Sequence, residues 1–390
     1  MKSYSRTALF VVAAAILVLS VASFGNLAAQ EEKDTVNKVI QAWRNRQERV
    51  RSGHFVMEES RTFAEGTLTA KANSFRSRLL EPGVQAEARN GPFRDTTVEV
   101  QSILSFEGDR MRYTIKGPQW APEREEFLES TYLSVFDGSL GKTFYSDSAD
   151  EKLFPLGFID VKTDRNPDAK TCYLYALFMN YRPFHPTMGQ FSSQGWTTAG
   201  KGVVDGKDCL IVENVGSSWT KSCWVDPARD YIILRYTNRT TRGGKDVSKL
   251  DISYINDKKN GWIPSRWKAV LLFPERGTLD ESSTTTVSSY TINPSFEPSE
   301  FQIDFPVGTF VRHYQEPDQY LVDKNGGKRI VTQEELNRNV TYAQLRDTPS
   351  GMAGLVSRRR VWPALLVGTL FILFAALMWR RRRTPATDSI

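Results

Sequence analysis

The chain has 390 residues, of which 40% are apolar and 25% are charged, a composition typical of folded proteins and outside the range of disordered chains. Its formal net charge of +6 comes from the two ends, where residues 1–30 and 358–390 hold nine of the 51 basic residues and one of the 45 acidic ones. Residues 31–357 therefore carry a net charge of −2. A nearly neutral body excludes a sequence-independent phosphate-binding surface, so no nucleic-acid partner is expected.

The first 29 residues have the layout of an export signal. Lys2 and Arg6 precede an apolar run over 8–21, and the small residues Asn26–Ala29 form the exit, with cleavage predicted after Ala29. An uncleaved N-terminal anchor is the alternative. No Cys lies near this exit, which excludes a lipid-modified N-terminus. Export would place the body outside the cytoplasm.

A helix is predicted over 34–51, because apolar residues recur there at the spacing of one helical face: Val36, Val39, Ile40, Trp43 and Val50. After Gly53, apolar and polar residues alternate with period two, and short Gly-containing turns join the segments as hairpins. The clearest alternating segments are 98–106, 111–115, 250–254, 263–273 and 301–305. Two further helices are predicted over 171–181 and 332–345, the second beginning with a Thr332/Glu335 capping box.

The predicted fold of residues 31–346 is therefore mainly β (α+β). Strands with one apolar and one polar face belong to antiparallel sheets that are covered on one side. We expect one large curved antiparallel sheet, an open half-barrel, with a few covering helices.

The C-terminal end predicts a single membrane span. Val361–Trp379 contains no charged residue, and at ~1.5 Å per residue it reaches ~28 Å, about the thickness of a hydrocarbon core. Arginines bracket it on both sides, which disfavours a buried core helix. We predict a linker at 347–360, a C-terminal transmembrane helix at 361–379 and a cytoplasmic tail at 380–390. A processed sorting signal is the alternative.

Two of the three cysteines are candidates for a disulfide. The segments 207–215 and 219–226 predict a hairpin, and a hairpin centred on Gly216 would place Cys209 directly opposite Cys223. The alternative is a pair of buried free thiols. Cys172 is expected to be free and buried on its helix.

No motif predicts catalysis. The segment 138–143 ends like a phosphate-binding loop, but Phe136 occupies the position of its first Gly, and a hairpin turn is predicted instead. His54, His185 and His313 have no metal-ligand spacing. The acidic pairs Glu58-Glu59 and Glu125-Glu126 are predicted to be solvated charges on opposite strand faces. We expect no enzyme activity, cofactor or metal site; a hydrolase with an unrecognised site is a third alternative.

The segment 181–186 is the least ordinary loop. Pro183 and Pro186 fix it in extended geometry and present Phe184 and His185 side by side. These two residues are candidates for a contact at the rim of a binding site. The alternative is a packed connection after the helix.

The body resembles the bacterial lipoprotein-localisation superfamily, the LolA/LolB-like fold, over roughly 34–315. The resemblance is carried by the opening helix leading into Gly53–Met57, by segments 203–213 and 223–233, and by 260–267 and 301–311. It implies an open curved sheet whose apolar concave face takes acyl chains. The chain departs from the family in extra loops at about 65–95 and 148–170 and in its C-terminal anchor, and no family ligand residue aligns.

The predicted export signal and C-terminal span, together with the resemblance, predict a membrane-tethered protein of the bacterial cell envelope, with one inner-membrane span and a periplasmic ectodomain. It would bind acyl chains of a lipid or lipoprotein in its concave face without catalysis. The alternative is an envelope sensor or assembly module that binds a protein partner. A large apolar cavity would favour the first, and a helix-filled interior with an exposed apolar patch the second.

Overall fold

A computed structural model describes residues 33–68, 91–121, 125–147, 154–160, 174–185, 191–241, 244–273, 278–314, 319–337 and 340–347. The predicted signal, tail and membrane span lie outside these residues, as do most of the predicted linker and Cys172. Within the described ranges, no helix is both long and apolar enough to cross a membrane.

The described residues form one open sheet of sixteen strands. The first six strands are β1 Ser52–Phe63, β2 Thr96–Glu107, β3 Arg110–Ala121, β4 Glu126–Phe136, β5 Gly141–Asp147 and β6 Leu156–Asp160. The next seven are β7 Trp196–Val204, β8 Lys207–Val215, β9 Trp219–Asp226, β10 Ile232–Thr240, β11 Asp246–Asp257, β12 Gly261–Phe273 and β13 Thr278–Ile292. The last three are β14 Phe310–His313, β15 Gln319–Val322 and β16 Lys328–Val331.

The two halves of the sheet meet at β1 and β13, which pair antiparallel in the middle. From β1 the strands β2 to β6 follow in sequence order on one side, and from β13 the strands β12 to β7 follow in reverse order on the other. This confirms the mainly β fold with one large open sheet. One pairing differs from the prediction, because β14 lies parallel to β6. β6 and β14 are far apart in the chain and are not joined by a hairpin turn, so a parallel pairing is possible.

One face of the sheet is covered by two helices: α1, residues 33–49, and α2, Tyr175–Tyr181. Both contribute to a single apolar cluster with residues from eleven consecutive strands, β4 through β1 and β13 to β7. We use the name concave face for the side of the sheet that α1 and α2 cover, after the curvature that the sequence predicts.

Helix α1 packs as its sequence predicts. The apolar residues of its predicted face are all buried: Val36, Val39, Ile40, Trp43 and Val50. The indole Nε1 of Trp43 donates a hydrogen bond of 2.8 Å to the carbonyl oxygen of Tyr231, and its ring stacks on Phe191 with centroids 5.2 Å apart. These contacts fix α1 over the turn between β9 and β10.

The predicted helix over 332–345 is instead two short helices, α3 Gln333–Asn337 and α4 Tyr342–Asp347. The expected capping box is present: the backbone N–H of Thr332 donates to Glu335 Oε2 at 2.9 Å, and that of Glu335 donates to Thr332 Oγ1 at 3.2 Å. The break has a local cause, because Thr341 and Gln344 form a second box of the same kind at 2.9 and 3.4 Å. The second box begins a new helix.

The predicted Cys209–Cys223 disulfide is wrong in this structure, where both are buried free thiols. The hairpin strands have the predicted bounds, but Cys223 lies opposite Val212. The cause is the turn, in which the Gly216 N–H donates to the Trp219 carbonyl at 2.8 Å, so the hairpin is not centred on Gly216. The register is displaced by three residues, and an odd displacement moves a side chain to the other face. Cys223 lies in the concave-face cluster and Cys209 in a separate one.

We predict that neither thiol reacts in the native protein. Burial raises the pKa of both thiols, Cys223 more strongly, so little thiolate exists near neutral pH. Alkylation with iodoacetamide followed by peptide mass spectrometry should modify Cys209 and Cys223 only after unfolding. Recovery of a peptide pair joined through Cys209 and Cys223, lighter by two hydrogen atoms, would contradict this register.

Candidate functional site

Helix α2 lies in the concave face with its apolar side chains enclosed. Leu174, Leu177 and Phe178 are all at most 1% exposed, and six of the seven helix residues are buried. The ring of Tyr181 packs against Phe55 of β1, with the centroids 5.7 Å apart. A seven-residue helix has little stability of its own, so this packing holds it in place.

The C-terminal end of α2 is attached by polar contacts. Arg46 of α1 is 2% exposed, and its Nη1 donates to Asn180 Oδ1 at 3.1 Å. Its Nη2 also donates to the carbonyl oxygen of Asp230. Burial lowers the pKa of Arg46, and the Asp230 carboxylate partly opposes that effect. Arg46 thus connects α1, α2 and the β9–β10 turn.

Arg182, the residue after α2, closes the end of α1. Its guanidinium donates to the carbonyl oxygens of Val50 at 2.7 Å, Arg51 at 2.6 Å and Tyr181 at 2.7 Å. It lies over the Phe106 ring, 4.3 Å from its centroid. Burial lowers the pKa of Arg182 to about 10, so the side chain remains charged at neutral pH. The unpaired carbonyls at the end of a helix favour a cation there.

The two loop residues predicted as rim contacts continue this connection. Phe184 packs on Trp43 of α1 with centroids 6.4 Å apart, and Arg44 lies over its ring. His185 is buried, and its Nε2 lies 2.8 Å from Asp109 Oδ1 in the β2–β3 turn. Burial lowers the pKa of His185, although the hydrogen bond to Asp109 opposes the shift. The structure places both side chains in a packed connection.

Replacing Arg182 should therefore loosen both covering helices. We predict that Arg182→Ala lowers the free energy of unfolding by about 3 kcal/mol, because several buried carbonyls lose a charged donor. Arg182→Lys should lose less, since one ammonium keeps the charge but not the planar fork. Urea titration followed by tryptophan fluorescence measures both. The control is Arg51→Ala, an exposed side chain next to the same helix end, and an equal loss there would contradict the assignment.

At the opposite end of α2, a buried polar cluster lies on the central strands. We use the name polar cluster for Glu59 and Arg61 of β1 with Glu281, Ser283 and Thr285 of β13. Glu59 is 0% exposed, and its Oε2 accepts from Arg61 Nε at 3.0 Å and Nη2 at 2.6 Å. The register places Thr285 opposite Glu59 and Ser283 opposite Arg61.

The cluster contains more hydrogen-bonding oxygens than partners. Among the described residues, four of its buried side-chain oxygens have no hydrogen-bond partner: Glu59 Oε1, Glu281 Oε1, Ser283 Oγ and Thr285 Oγ1. A buried polar group without a partner costs about 1–3 kcal/mol. An arrangement of this kind in the middle of a core indicates a site for a hydrogen-bonding ligand or bound water.

The environment of the polar cluster favours the neutral form of Glu281 and the charged form of Arg61. Burial raises the pKa of Glu281 to about 7; Arg61 opposes the shift and Glu59 adds to it. For Arg61, burial alone would lower the pKa, but the interactions with Glu59, Tyr113 and Glu281 together outweigh burial and the pKa is raised. Arg61 forms its ion pair with Glu59 and interacts with Glu281 through its charge.

A small cavity joins the polar cluster to the N-terminal end of α2. Its volume is about 20 Å³, enough for about one water molecule. It is lined by Glu281 and Ser283 of the cluster, by Tyr175 of α2, and by Tyr236, Ser248, Lys249, Leu250, Ala269, Val270 and Leu271. The N-cap residue of α2, Leu174, makes no side-chain capping hydrogen bond. Among the described residues, the charged contacts given above are all at the C-terminal end of α2.

A second, wider groove of about 450 Å³ lies elsewhere, between the start of α1 and the start of β7. Its lining comprises Lys33, Val36, Asn37, Ile40 and residues 193–197. It is open to solvent and contains no residue of the polar cluster.

Two observations on the described part of the chain concern metal binding and nucleophilic chemistry. No group of three His, Cys, Asp or Glu residues there is placed to hold a metal ion. Ser105 lies 3.0 Å from both His54 Nδ1 and Glu300 Oε1, but the acid contacts the serine and not the histidine. In a catalytic triad the acid orients the histidine, so this arrangement does not activate Ser105.

The polar cluster is not predicted from the sequence. The prediction that Glu58 and Glu59 lie on opposite faces is correct, but the expectation that both are solvated is wrong for Glu59. A signal was present, because Glu59 and Arg61 continue the alternation of Phe55, Met57 and Phe63 on the concave face.

Comparisons with known proteins give fold-level similarity only. No family model and no curated protein matches the chain. A solved outer membrane lipoprotein-sorting protein domain from Vibrio parahaemolyticus is similar over 68% of this chain and 97% of its own, with 12% identity and a TM-score of 0.39. A porin-like protein from Bacteroides uniformis is similar over 61% of this chain and 96% of its own, with 10% identity and a TM-score of 0.19. At these values the similarities support no conclusion about ligand or activity.

The chain also matches PNGF-II, with 9% identity, a TM-score of 0.20 and coverage of 67% of this chain. It spans about a third of that protein's length, 31%.

Proposed function

We propose that the protein is a non-catalytic binding protein that takes the acyl chains of a lipid or lipoprotein into its concave face. The observation that carries the proposal is that the charged contacts of α2 described above are all at one end of the helix. Arg46 and Arg182 hold its C-terminal end with buried charged contacts, whereas its N-terminal end lies beside a cavity and a polar cluster. A helix held in this way acts as a hinged cover.

An acyl chain is a suitable replacement for the N-terminal part of this cover. The side chains that would move, Leu174, Leu177 and Phe178, are apolar and completely enclosed. Exchanging them for an alkyl chain keeps the concave face out of water, and each buried methylene contributes about 0.8 kcal/mol. The space of 20 Å³ is too small for a chain while α2 is in place, so binding requires α2 to swing away.

The predicted export signal and membrane span suggest where in the cell this binding would take place. An export signal at 1–29 and a span at 361–379 would hold the body at the outer surface of the inner membrane of a bacterial envelope. A protein fixed in this way would hold or relay acyl chains over a short distance, because it cannot leave its membrane as a soluble carrier does.

A protein-binding module in the envelope is the second candidate, and one surface favours it. Val215 and Trp219, at the β8–β9 turn, are 62% and 43% exposed. Apolar side chains at the tip of a hairpin are suited to contact a partner protein. A sensor or assembly role would use this tip and leave α2 in place.

We expect bound lipid to accompany the protein from the cell. The full chain, extracted in mild detergent and analysed by native mass spectrometry, should carry a species of lipid mass that is lost on unfolding. A bare protein that also takes up no added fluorescent fatty acid would contradict acyl-chain binding and favour the protein-binding module.

The proposed opening predicts that Tyr175→Ala increases uptake of a fluorescent fatty acid. The substitution enlarges the cavity and removes a contact of the N-terminal end of α2, and it should lower the free energy of unfolding by about 1–3 kcal/mol. The matched control is Tyr342→Ala, which removes the same atoms from α4, where the ring stacks on Phe154 with centroids 4.4 Å apart. Equal uptake by both variants would show that destabilisation alone opens the protein.

A further inference from the structure

We infer that the polar cluster binds the primary ammonium group at the polar end of an alkyl-chain lipid. This inference rests on the proposed function and adds the chemistry of the ligand's head group. The inference is based on the buried oxygens without a hydrogen-bond partner in Glu59, Glu281, Ser283 and Thr285. Glu281 and Ser283 also line the cavity at the N-terminal end of α2.

The kind of atoms that lack partners favours a donor. An ionised carboxylate can only accept hydrogen bonds, and a hydroxyl can accept as well as donate. Glu59 Oε1, and Glu281 Oε1 when Glu281 is ionised, therefore require a donor, and an ammonium group brings three. Water brings two, and a carboxylate or phosphate ligand brings none.

The charges of the cluster favour a cation in particular. Glu59 and Arg61 form a buried ion pair with a distance of 2.6 Å, so the polar cluster has a net charge of −1 when Glu281 is ionised. An anionic head group would meet two carboxylates, and the only guanidinium of the cluster already binds Glu59. An ammonium group makes the set of charges neutral.

The position of the cluster fits a ligand with an alkyl chain. Ser283 is 2% exposed and lines the cavity together with Tyr175, the first residue of α2. A lipid whose head group lies at Ser283 and Glu281 would extend its alkyl chain along the apolar side chains that the N-terminal part of α2 covers. The head group and the chain thus use adjoining parts of one face.

The test compares three ligands of equal chain length: decylamine, decanol and decanoic acid. Each competes with a fluorescent fatty acid on the purified full chain, below the concentration at which micelles form. Decylamine should compete about tenfold better than decanol, the effect of one additional buried charge interaction, and decanoic acid should be the weakest. Lysophosphatidylethanolamine should likewise compete better than lysophosphatidylglycerol.

Glu281→Gln should abolish the advantage of decylamine over decanol while leaving decanol unchanged, because the amide keeps the shape but not the charge. The matched control is Glu58→Gln, an exposed carboxylate on the opposite face of β1, hydrogen-bonded to Gln101 at 3.1 Å. This control should keep the advantage.

Acidity gives a second readout that needs no variant. The groups around Glu281 are Glu59 and Arg61 from β1, Lys249 from β11, Tyr236 from β10 and Tyr175 from α2. Protonation of Glu281 below about pH 7 removes its charge, while an alkylammonium stays charged as a lysine does. The advantage of decylamine over decanol should therefore fall about tenfold from pH 8 to pH 6. The concentration of decanol needed for competition should stay constant.

The outcomes separate the two proposals. If all three ligands compete equally and Glu281→Gln changes nothing, acyl-chain binding stands and the ammonium site is wrong. If the fluorescent fatty acid does not bind and native mass spectrometry finds no lipid on the protein, the proposed function is wrong as well.

Discussion

The rest of the structure depends on covering the concave face of the sheet. Eleven neighbouring strands present apolar side chains to that side, and exposure to water would cost about 25 cal/mol for each Å². Helices α1 and α2 provide the cover within the described residues. Neither is fixed by apolar packing alone, because Arg46 and Arg182 connect the two helices to each other and to the β9–β10 turn. Buried guanidinium groups with several carbonyl partners make this connection directional, which apolar contacts are not.

The same connection makes the cover unequal along its length. Every charged contact of α2 described above lies at or after Asn180, and the opposite end has apolar packing and a cavity. Apolar contacts are exchangeable, since one alkyl group replaces another at little cost, whereas a buried guanidinium that loses its carbonyl partners is strongly destabilising. Opening should therefore proceed from Tyr175 toward Asn180. The direction follows from where the charges are.

Much of the fold was accessible from the sequence, because strand and helix signals are local. Period-two alternation correctly predicted β2, β3, β11 and β12, and the capping box at Thr332 is present as expected. The alternating segment 301–305 is not a strand, and it begins at the last residue of the short 3-10 helix Pro298–Phe301. The pairing register of strands and the burial of individual side chains were harder to predict. One hydrogen bond in the Gly216 turn displaced the hairpin and separated Cys209 from Cys223. Alternation indicates which face a side chain occupies, but not how much structure covers that face, so Glu59 was placed correctly and still expected to be solvated.

The polar cluster is difficult to explain as a device for stability. A buried ion pair such as Glu59–Arg61 is often no better than apolar residues of similar volume, and orphaned oxygens beside it add a further cost of about 1–3 kcal/mol each. β1 and β13 are the central strands, where apolar residues would pack well. A sequence that keeps Glu59, Glu281 and Ser283 there is less stable than it needs to be, and a ligand that supplies the missing donors would recover that cost on binding.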